Sequence, residues 1–220
     1  HDKGYFWMSY DDAYAGNNIF AVTDIDENKE KYNFDNIYQY DYFGMCDALD
    51  VNSKELYQCR IFDLKTPYEK LTDIGLFTAS NNTKCEFYLA KLDNSGKPVG
   101  VGEKLGEKLY EFAGYHTYLL DKEVVLDKSE NSSECRNGKF GIVVKMSGED
   151  LYLPVEDMVE GYTSEAVGKP EKNYVSLDSK NWEDLYNDES LMAEDCYFTN
   201  LNIKAFTERA EKPIRPTPAP

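Results

Sequence analysis

Along most of this chain the side chains change character every second residue, a period that admits β-strands and excludes a helical bundle. Phe140, Ile142, Val144 and Met146 fall on one face of such a run, with Gly141, Val143 and Lys145 on the other, as expected of a sheet with one well-buried side. The alternation recurs at Ile74, Leu76 and Thr78, at Cys85, Phe87 and Leu89, and at Tyr115, Thr117 and Leu119. It returns at Leu151, Leu153 and Val155, and at Leu201, Ile203 and Ala205. Between the runs stand Ser80-Asn81-Asn82, Asp93-Asn94-Ser95-Gly96 and Arg136-Asn137-Gly138, residues that accept tight or left-handed backbone. Many short strands without a βαβ rhythm predict an all-β fold, an antiparallel β-sandwich or jelly roll. Helices are expected to be minor, because Pro67 interrupts 63–73 and 190–195 is too short to stand alone.

The 220 residues suffice for one sizeable core, and three parts are expected. Residues 1–30 read as a terminal strand segment and connector, dense in aromatics (Tyr5, Phe6, Trp7, Tyr10, Tyr14) and closing on a polar stretch at 27–33. Residues 31–210 carry the sandwich pattern, and 211–220 has the proline spacing of an extended linker. A start at His1 is expected of a processed product or of a piece of a longer protein.

Charge narrows the partners. With 24 Lys+Arg against 41 Asp+Glu the formal net charge is -17, which repels a phosphate backbone and an anionic membrane face. No nucleic acid partner and no membrane insertion are expected, and no run approaches the roughly 18 apolar residues of a spanning helix. Disorder is opposed by 18 Tyr, 11 Phe and 2 Trp.

Catalytic parts are scarce. Cys46, Cys59, Cys85, Cys135 and Cys196 form no CxxC or Cys-His cluster, and they read as free thiols or as one bridge such as Cys46 to Cys59. Besides His1 the only histidine is His116, inside an alternating strand, where a structural role is expected rather than a place beside a nucleophile. No enzymatic activity is expected of the chain.

Binding chemistry is better represented. Sugar recognition needs flat rings against the apolar faces of pyranoses, and carboxylates or amides for the hydroxyls. Strand period puts Tyr38, Tyr40 and Tyr42 on one side with Asp41 beside them, a set that makes a platform or equally covers a sandwich core. Trp182 stands in the polar stretch Ser179-Lys180-Asn181-Trp182-Glu183-Asp184, a setting that suggests an exposed ring. Two acidic stretches are candidates for calcium, a hard cation that prefers oxygen ligands. One is Asp24, Asp26 and Asn28, spaced two apart, although Lys29 stands where a sharp-turn glycine would be needed. The other gathers Asp178, Asn181, Asp184 and Asp188, and is ranked first because a loop between strands presents ligands at less ordering cost than a linker.

Particular segments also resemble known proteins. Gly4-Tyr5-Phe6-Trp7-Met8-Ser9-Tyr10, with Asp11, Asp12 and Tyr14, resembles the last strand of bacterial papain-like cysteine proteases. An ordered series from Tyr38-Gln39-Tyr40-Asp41 through Ile74-Gly75-Leu76-Phe77-Thr78 and Phe112-Ala113-Gly114-Tyr115-His116-Thr117 follows. It continues with Lys139 to Lys145, Leu153-Pro154-Val155-Glu156, Asn173-Tyr174-Val175-Ser176 and Asn202 to Thr207. That series resembles the lectin-like β-sandwich module that follows the protease domain in cell-surface papain-family enzymes of anaerobic bacteria. The resemblance implies a non-catalytic accessory module of a secreted or cell-surface bacterial protein, with calcium in some members. Its expected partner is a polysaccharide or surface glycan. The alternative is a structural module that packs against an adjacent protease domain or companion chain and binds no sugar.

Overall fold

The computed structural model describes residues 34–129, 135–187, 192–193 and 196–211. The aromatic segment 4–14, the polar stretch 27–33, most of the proline-rich tail, and Asp24, Asp26, Asn28 and Asp188 lie outside the described residues.

In chain order the strands are β1 (Asn36–Tyr38), β2 (Asp47–Asp50), β3 (Glu55–Asp63), β4 (Tyr68–Thr78) and β5 (Thr83–Leu92). Next come β6 (Pro98–Tyr110), β7 (Gly114–Asp127), β8 (Cys135–Arg136), β9 (Lys139–Ser147) and β10 (Tyr152–Val159). The last are β11 (Asn173–Ser176), β12 (Glu183–Asp184), β13 (Met192–Ala193), β14 (Cys196–Leu201) and β15 (Ile203–Arg209). Among the described residues the only helical element is a 3-10 turn at Leu185–Asn187.

These strands make an all-β architecture of antiparallel sheets. One sheet runs β12-β11-β3-β9-β5-β6, with β8 paired to β9; the other two run β1-β15-β4-β7 and β13-β14-β10-β2. The two smaller sheets are linked where β14 passes into β15 through a bend at Asn202. Side chains from all three meet in one core: Phe140, Ile142, Val144 and Met146 of β9 and Phe87 of β5 on one side, Ile74 and Leu76 of β4, Val155 of β10 and Ile203 of β15 on the other. The alternation in the sequence is therefore the inward face of a sandwich.

The turns use the residues their geometry requires. Asn82 (φ 54°) closes the β4–β5 connection, and Asn137 (φ 54°) with Gly138 (φ 71°) forms the two-residue hairpin between β8 and β9, a left-handed pair that Asn-Gly adopts at low cost.

Two expectations about faces are corrected. In β7 the inward residues are Tyr118, Val124 and Leu126, whereas Tyr115 of the alternating Tyr115-Thr117-Leu119 set is exposed. Both faces of that stretch are apolar, so periodicity could not choose between them. The Tyr118 ring settles the matter by stacking on Phe87 at 4.4 Å between centroids, beside Gly106, where any Cβ would collide with its hydroxyl. In β9 both sides are buried, not one. Val143 joins Cys59, Ile61, Ala90, Leu92, Tyr174 and Trp182 in a second apolar cluster on the other face of the large sheet. There Gly141 allows a close approach, since a Cβ would lie 2.7 Å from that of Ala90 and 2.8 Å from Cδ1 of Ile61.

Candidate carbohydrate-binding groove

The Tyr38 to Asp41 segment leaves the sheet almost at once, and this decides which of its rings reach solvent. β1 ends at Tyr38, and a turn follows in which the Gly44 N–H donates to Asp41 O at 3.2 Å, with Gly44 at φ 72°. Strand period therefore fails beyond Tyr38, and the three tyrosines separate.

Tyr38 points inward, which corrects its reading as part of a platform. Its hydroxyl donates to the buried carboxylate of Glu69 at 2.7 Å and accepts from the Lys65 N–H at 2.8 Å, and its ring meets Phe140 edge-on at 5.2 Å. Asp41 is also interior at 1% exposure, which corrects its assignment to sugar hydroxyls. Its Oδ2 accepts from Lys204 Nζ at 2.6 Å and from Asn202 Nδ2 at 3.1 Å. Both side chains point inward because their polar atoms find partners on the neighbouring strands β4 and β15.

Tyr40 and Tyr42 remain available. Tyr40 is half-buried, parallel to Phe62 within 5° at 5.8 Å, with the Arg60 guanidinium 4.5 Å from its ring centre. Tyr42 is 75% exposed. Together with Ile37, Gln39, Asp63, Lys65 and the edge of the inward-turned Tyr38 they border a groove of about 330 Å³. Lys65 Nζ lies 4.7 Å from the Tyr38 ring centre and donates to Ile37 O at 2.5 Å, and Asp63 accepts from Lys172 at 2.5 Å. The border of the groove thus combines tyrosine rings with an amide, a carboxylate and an ammonium group. Gln39, Asp63 and Lys65 were not singled out from the sequence. The available signal was the charged pair around Leu64, just where the apolar run of β3 stops.

Beneath the groove lies a buried polar layer. Arg60 Nη2 donates to Asn200 Oδ1 at 2.6 Å, while Nε and Nη1 have no hydrogen-bond partner. Burial lowers the Arg60 pKa to about 10, opposed by nearby Asp41, Tyr40 and Glu156. Asn200 Nδ2 donates to Glu156 Oε2 at 2.6 Å and to Tyr40 O at 3.2 Å, and Glu156 Oε1 receives the Phe43 N–H at 2.9 Å. The backbone carrying Tyr40 and Phe43 is therefore tied to β10 and β14 on both sides of Tyr42, an arrangement that fixes the groove before a ligand arrives.

Trp182 corrects the expectation of an exposed ring. It is 6% exposed, packed in the second apolar cluster, and its indole N–H donates to Ser179 O at 3.1 Å. Its polar neighbours in sequence face solvent while the ring covers the large sheet. Asp178 organises that loop, its Oδ1 accepting the N–H groups of Lys180 at 2.9 Å and Asn181 at 2.8 Å and its Oδ2 the Asn181 amide at 2.7 Å. Those donors, the Asn181 and Lys180 N–H groups foremost, hold its carboxyl far below the ordinary range. Asp184 accepts from the Glu171 N–H at 2.7 Å. Among the described residues no three His, Cys, Asp or Glu side chains gather as a metal-holding group.

Cys59 and Cys85 are buried in the core, and His116 is packed within β7. Cys46, Cys59 and Cys85 are free thiols, so the Cys46 to Cys59 bridge does not form. Burial pushes the Cys85 thiol up to about 12 and raises Cys59 as well, the reverse of an activated nucleophile. His116 Nε2 lies 3.1 Å from Thr78 Oγ1, and its ring stacks on Tyr110 at 3.9 Å.

No curated protein matches the chain. Among the solved structures that resemble it are two that share 25% identity over 80% of this chain. One is the clostridial cysteine protease Cwp84 after propeptide cleavage, with a TM-score of 0.62. The other contains the cysteine protease and lectin-like domains of Cwp84, a surface layer associated protein of Clostridium difficile, with a TM-score of 0.60. The chain spans 40% and 36% of the length of those two. The sequence model of the lectin like domain matches residues 37–207, from β1 to β15 and thus across every sheet of the sandwich, and by that match the chain belongs to the lectin-like domain family.

Proposed function

We propose that this lectin-like domain is a non-catalytic accessory module that binds polysaccharide through the Tyr40–Tyr42 groove. It is carried beside a cysteine protease domain on a secreted or surface-attached bacterial protein. The groove itself is the observation that carries the binding: an exposed Tyr42 and a braced Tyr40 border one depression with Gln39, Asp63 and Lys65, bringing an open ring together with the hydrogen-bonding groups that a pyranose requires. The protease neighbour and the surface location are supported by the likeness to Cwp84, whose lectin-like domain accompanies a cysteine protease domain in a surface layer associated protein.

Affinity electrophoresis through neutral plant and cell-wall polysaccharides tests the binding. Wild-type protein is expected to be retarded by at least one polymer. Tyr42→Ala, which removes an exposed ring, is expected to weaken that retardation about tenfold or more with an unchanged melting midpoint. Absence of retardation across a broad panel overturns the binding reading.

A packing role without sugar is favoured by one observation, the aromatic outer face of the β1-β15-β4-β7 sheet. There Phe34 lies on Phe206 at 5.0 Å and Phe77 against Tyr115 at 5.2 Å, with Phe34 and Tyr115 still exposed. An apolar face of this kind suits another protein domain better than a polysaccharide.

Calcium belongs to the proposal as an ion of the acidic stretch Asp178, Asn181, Asp184 and Asp188. There it would share lone pairs that the Lys180 and Asn181 N–H groups now use on Asp178. The expected outcome is a saturable rise of a few degrees in the melting midpoint when calcium follows chelator, larger than sodium gives at equal ionic strength. Asp184→Ala removes the rise; an unchanged midpoint in the wild type removes the ion.

A further inference from the structure

We propose that the domain carries a second saccharide-binding site at the opposite end of β3, a reading that rests on the carbohydrate function of the first groove. Three connections converge there: the one before β3, the one between β4 and β5, and the one between β9 and β10. They enclose a depression of about 780 Å³ bordered by Lys54, Ser80, Asn81, Asn82, Asp150 and Tyr152. A neighbouring one of about 400 Å³ shares Lys54, Asp150 and Tyr152 and adds Asp50 and Asn52.

The walls are fixed by hydrogen bonds that leave several of the bordering side chains unused. The Gly148 N–H donates to Lys54 O at 3.1 Å, the Asn82 N–H to Glu111 O at 3.1 Å, and the Ala113 N–H to Asn81 Oδ1 at 2.8 Å. Asn52 is placed by its own N–H, which donates to Asp50 Oδ1 at 2.9 Å. The side chains of Asn52, Asn82 and Asp150 make no hydrogen bond or ion pair among the described residues. Tyr152, 40% exposed at the start of β10, supplies a ring.

Two amides and a carboxylate around one aromatic ring match a surface of vicinal hydroxyls and C–H faces. The charge narrows the class. Lys54 is paired with Glu149, which leaves Asp50 and Asp150 to set the sign, so a neutral saccharide fits and an anionic one is repelled.

Glu55 and Asp63, the first and last residues of β3, border one site each. At the rise of an antiparallel strand the sites are about 25 Å apart, so a long polymer reaches both and a short oligosaccharide only one. Binding a polymer at two places raises its affinity about 100-fold or more above either site alone.

The test measures affinity electrophoresis through mixed-linkage β-glucan, galactomannan and xylan, beside calorimetric titration with short oligosaccharides cut from each. Wild type, Tyr42→Ala, Tyr152→Ala and Asp150→Ala are compared, each confirmed folded by its melting midpoint. Tyr152→Ala and Asp150→Ala are expected to weaken polymer binding about 100-fold while oligosaccharide affinity at the first groove stays within about twofold. Unchanged polymer binding in both, with loss in Tyr42→Ala, overturns the second site and leaves the first. Loss in Tyr152→Ala with none in Tyr42→Ala supports the second site and overturns the first. No retardation of the wild type on any polymer overturns both.

Discussion

Glu69→Leu is expected to lower the free energy of unfolding by about 3–5 kcal/mol, read from urea melts at neutral pH. The buried carboxylate accepts from Tyr38 Oη at 2.7 Å, from the Thr66 N–H at 2.7 Å and Oγ1 at 2.9 Å, from Asn36 Nδ2 at 3.3 Å, and from Thr207 Oγ1. It thereby joins β1, β15 and the turn before β4, and leucine in its place leaves those donors buried without an acceptor. A shift of less than about 1 kcal/mol, the net worth of one ordinary hydrogen bond, would show that the donors find water instead.

The same site gives an acid dependence of known sign. Burial acts to raise the Glu69 carboxyl, but the hydrogen bonds from Thr207, Tyr38 and Thr66 outweigh it and hold the group below its ordinary value of 4.5. The unfolded chain therefore takes up the proton first as the solution is acidified. The contribution is complete above about pH 4.5 and is lost as pH falls through the folded value. Glu69→Gln lacks this titration, so its stability deficit relative to wild type shrinks in acid. A deficit that is constant from pH 7 to pH 3 would remove the carboxylate from the explanation.

Trp182→Ala is expected to cost about 3–5 kcal/mol, the range for deleting a large buried aromatic side chain. The indole closes the second apolar cluster over Cys59, Ile61 and Val143 and fixes its own loop through Ser179 O. Because the loss falls on packing, retardation by polysaccharide, taken per folded molecule, stays at the wild-type value. A variant that melts like wild type but is no longer retarded would make Trp182 a binding ring and refute its structural role.

How much of this was legible in advance can be judged residue by residue. Phe140 to Met146 disclosed the face they turn to the main core because alternation is a local property, although not that the opposite face is buried as well, and Asn137-Gly138 disclosed its hairpin because few residue pairs adopt left-handed backbone twice in succession. The groove was only half legible. Tyr40 and Tyr42 were singled out, yet Gln39, Asp63 and Lys65 complete it, and Asp63 with Lys65 arrives from β3 and the turn after it. Trp182 misled because polarity of sequence neighbours describes the loop and not what the loop lies on.

The all-β class, the turns at 80–82, 93–96 and 136–138, and the ordered segments that mark a lectin-like domain are legible in the chain alone. Each of these rests on periodicity, backbone preference or residue order, which the chain carries locally. Tertiary structure alone decided that Tyr38 and Asp41 turn inward to Glu69 and Lys204, that β7 presents Tyr118 rather than Tyr115 to the core, and that Trp182 is a cover. In each case the local sequence did not say what the strand or loop would lie against. The choice fell to partners more than 20 residues away, whose hydrogen bonds and ring contacts exist only once the sheets have come together.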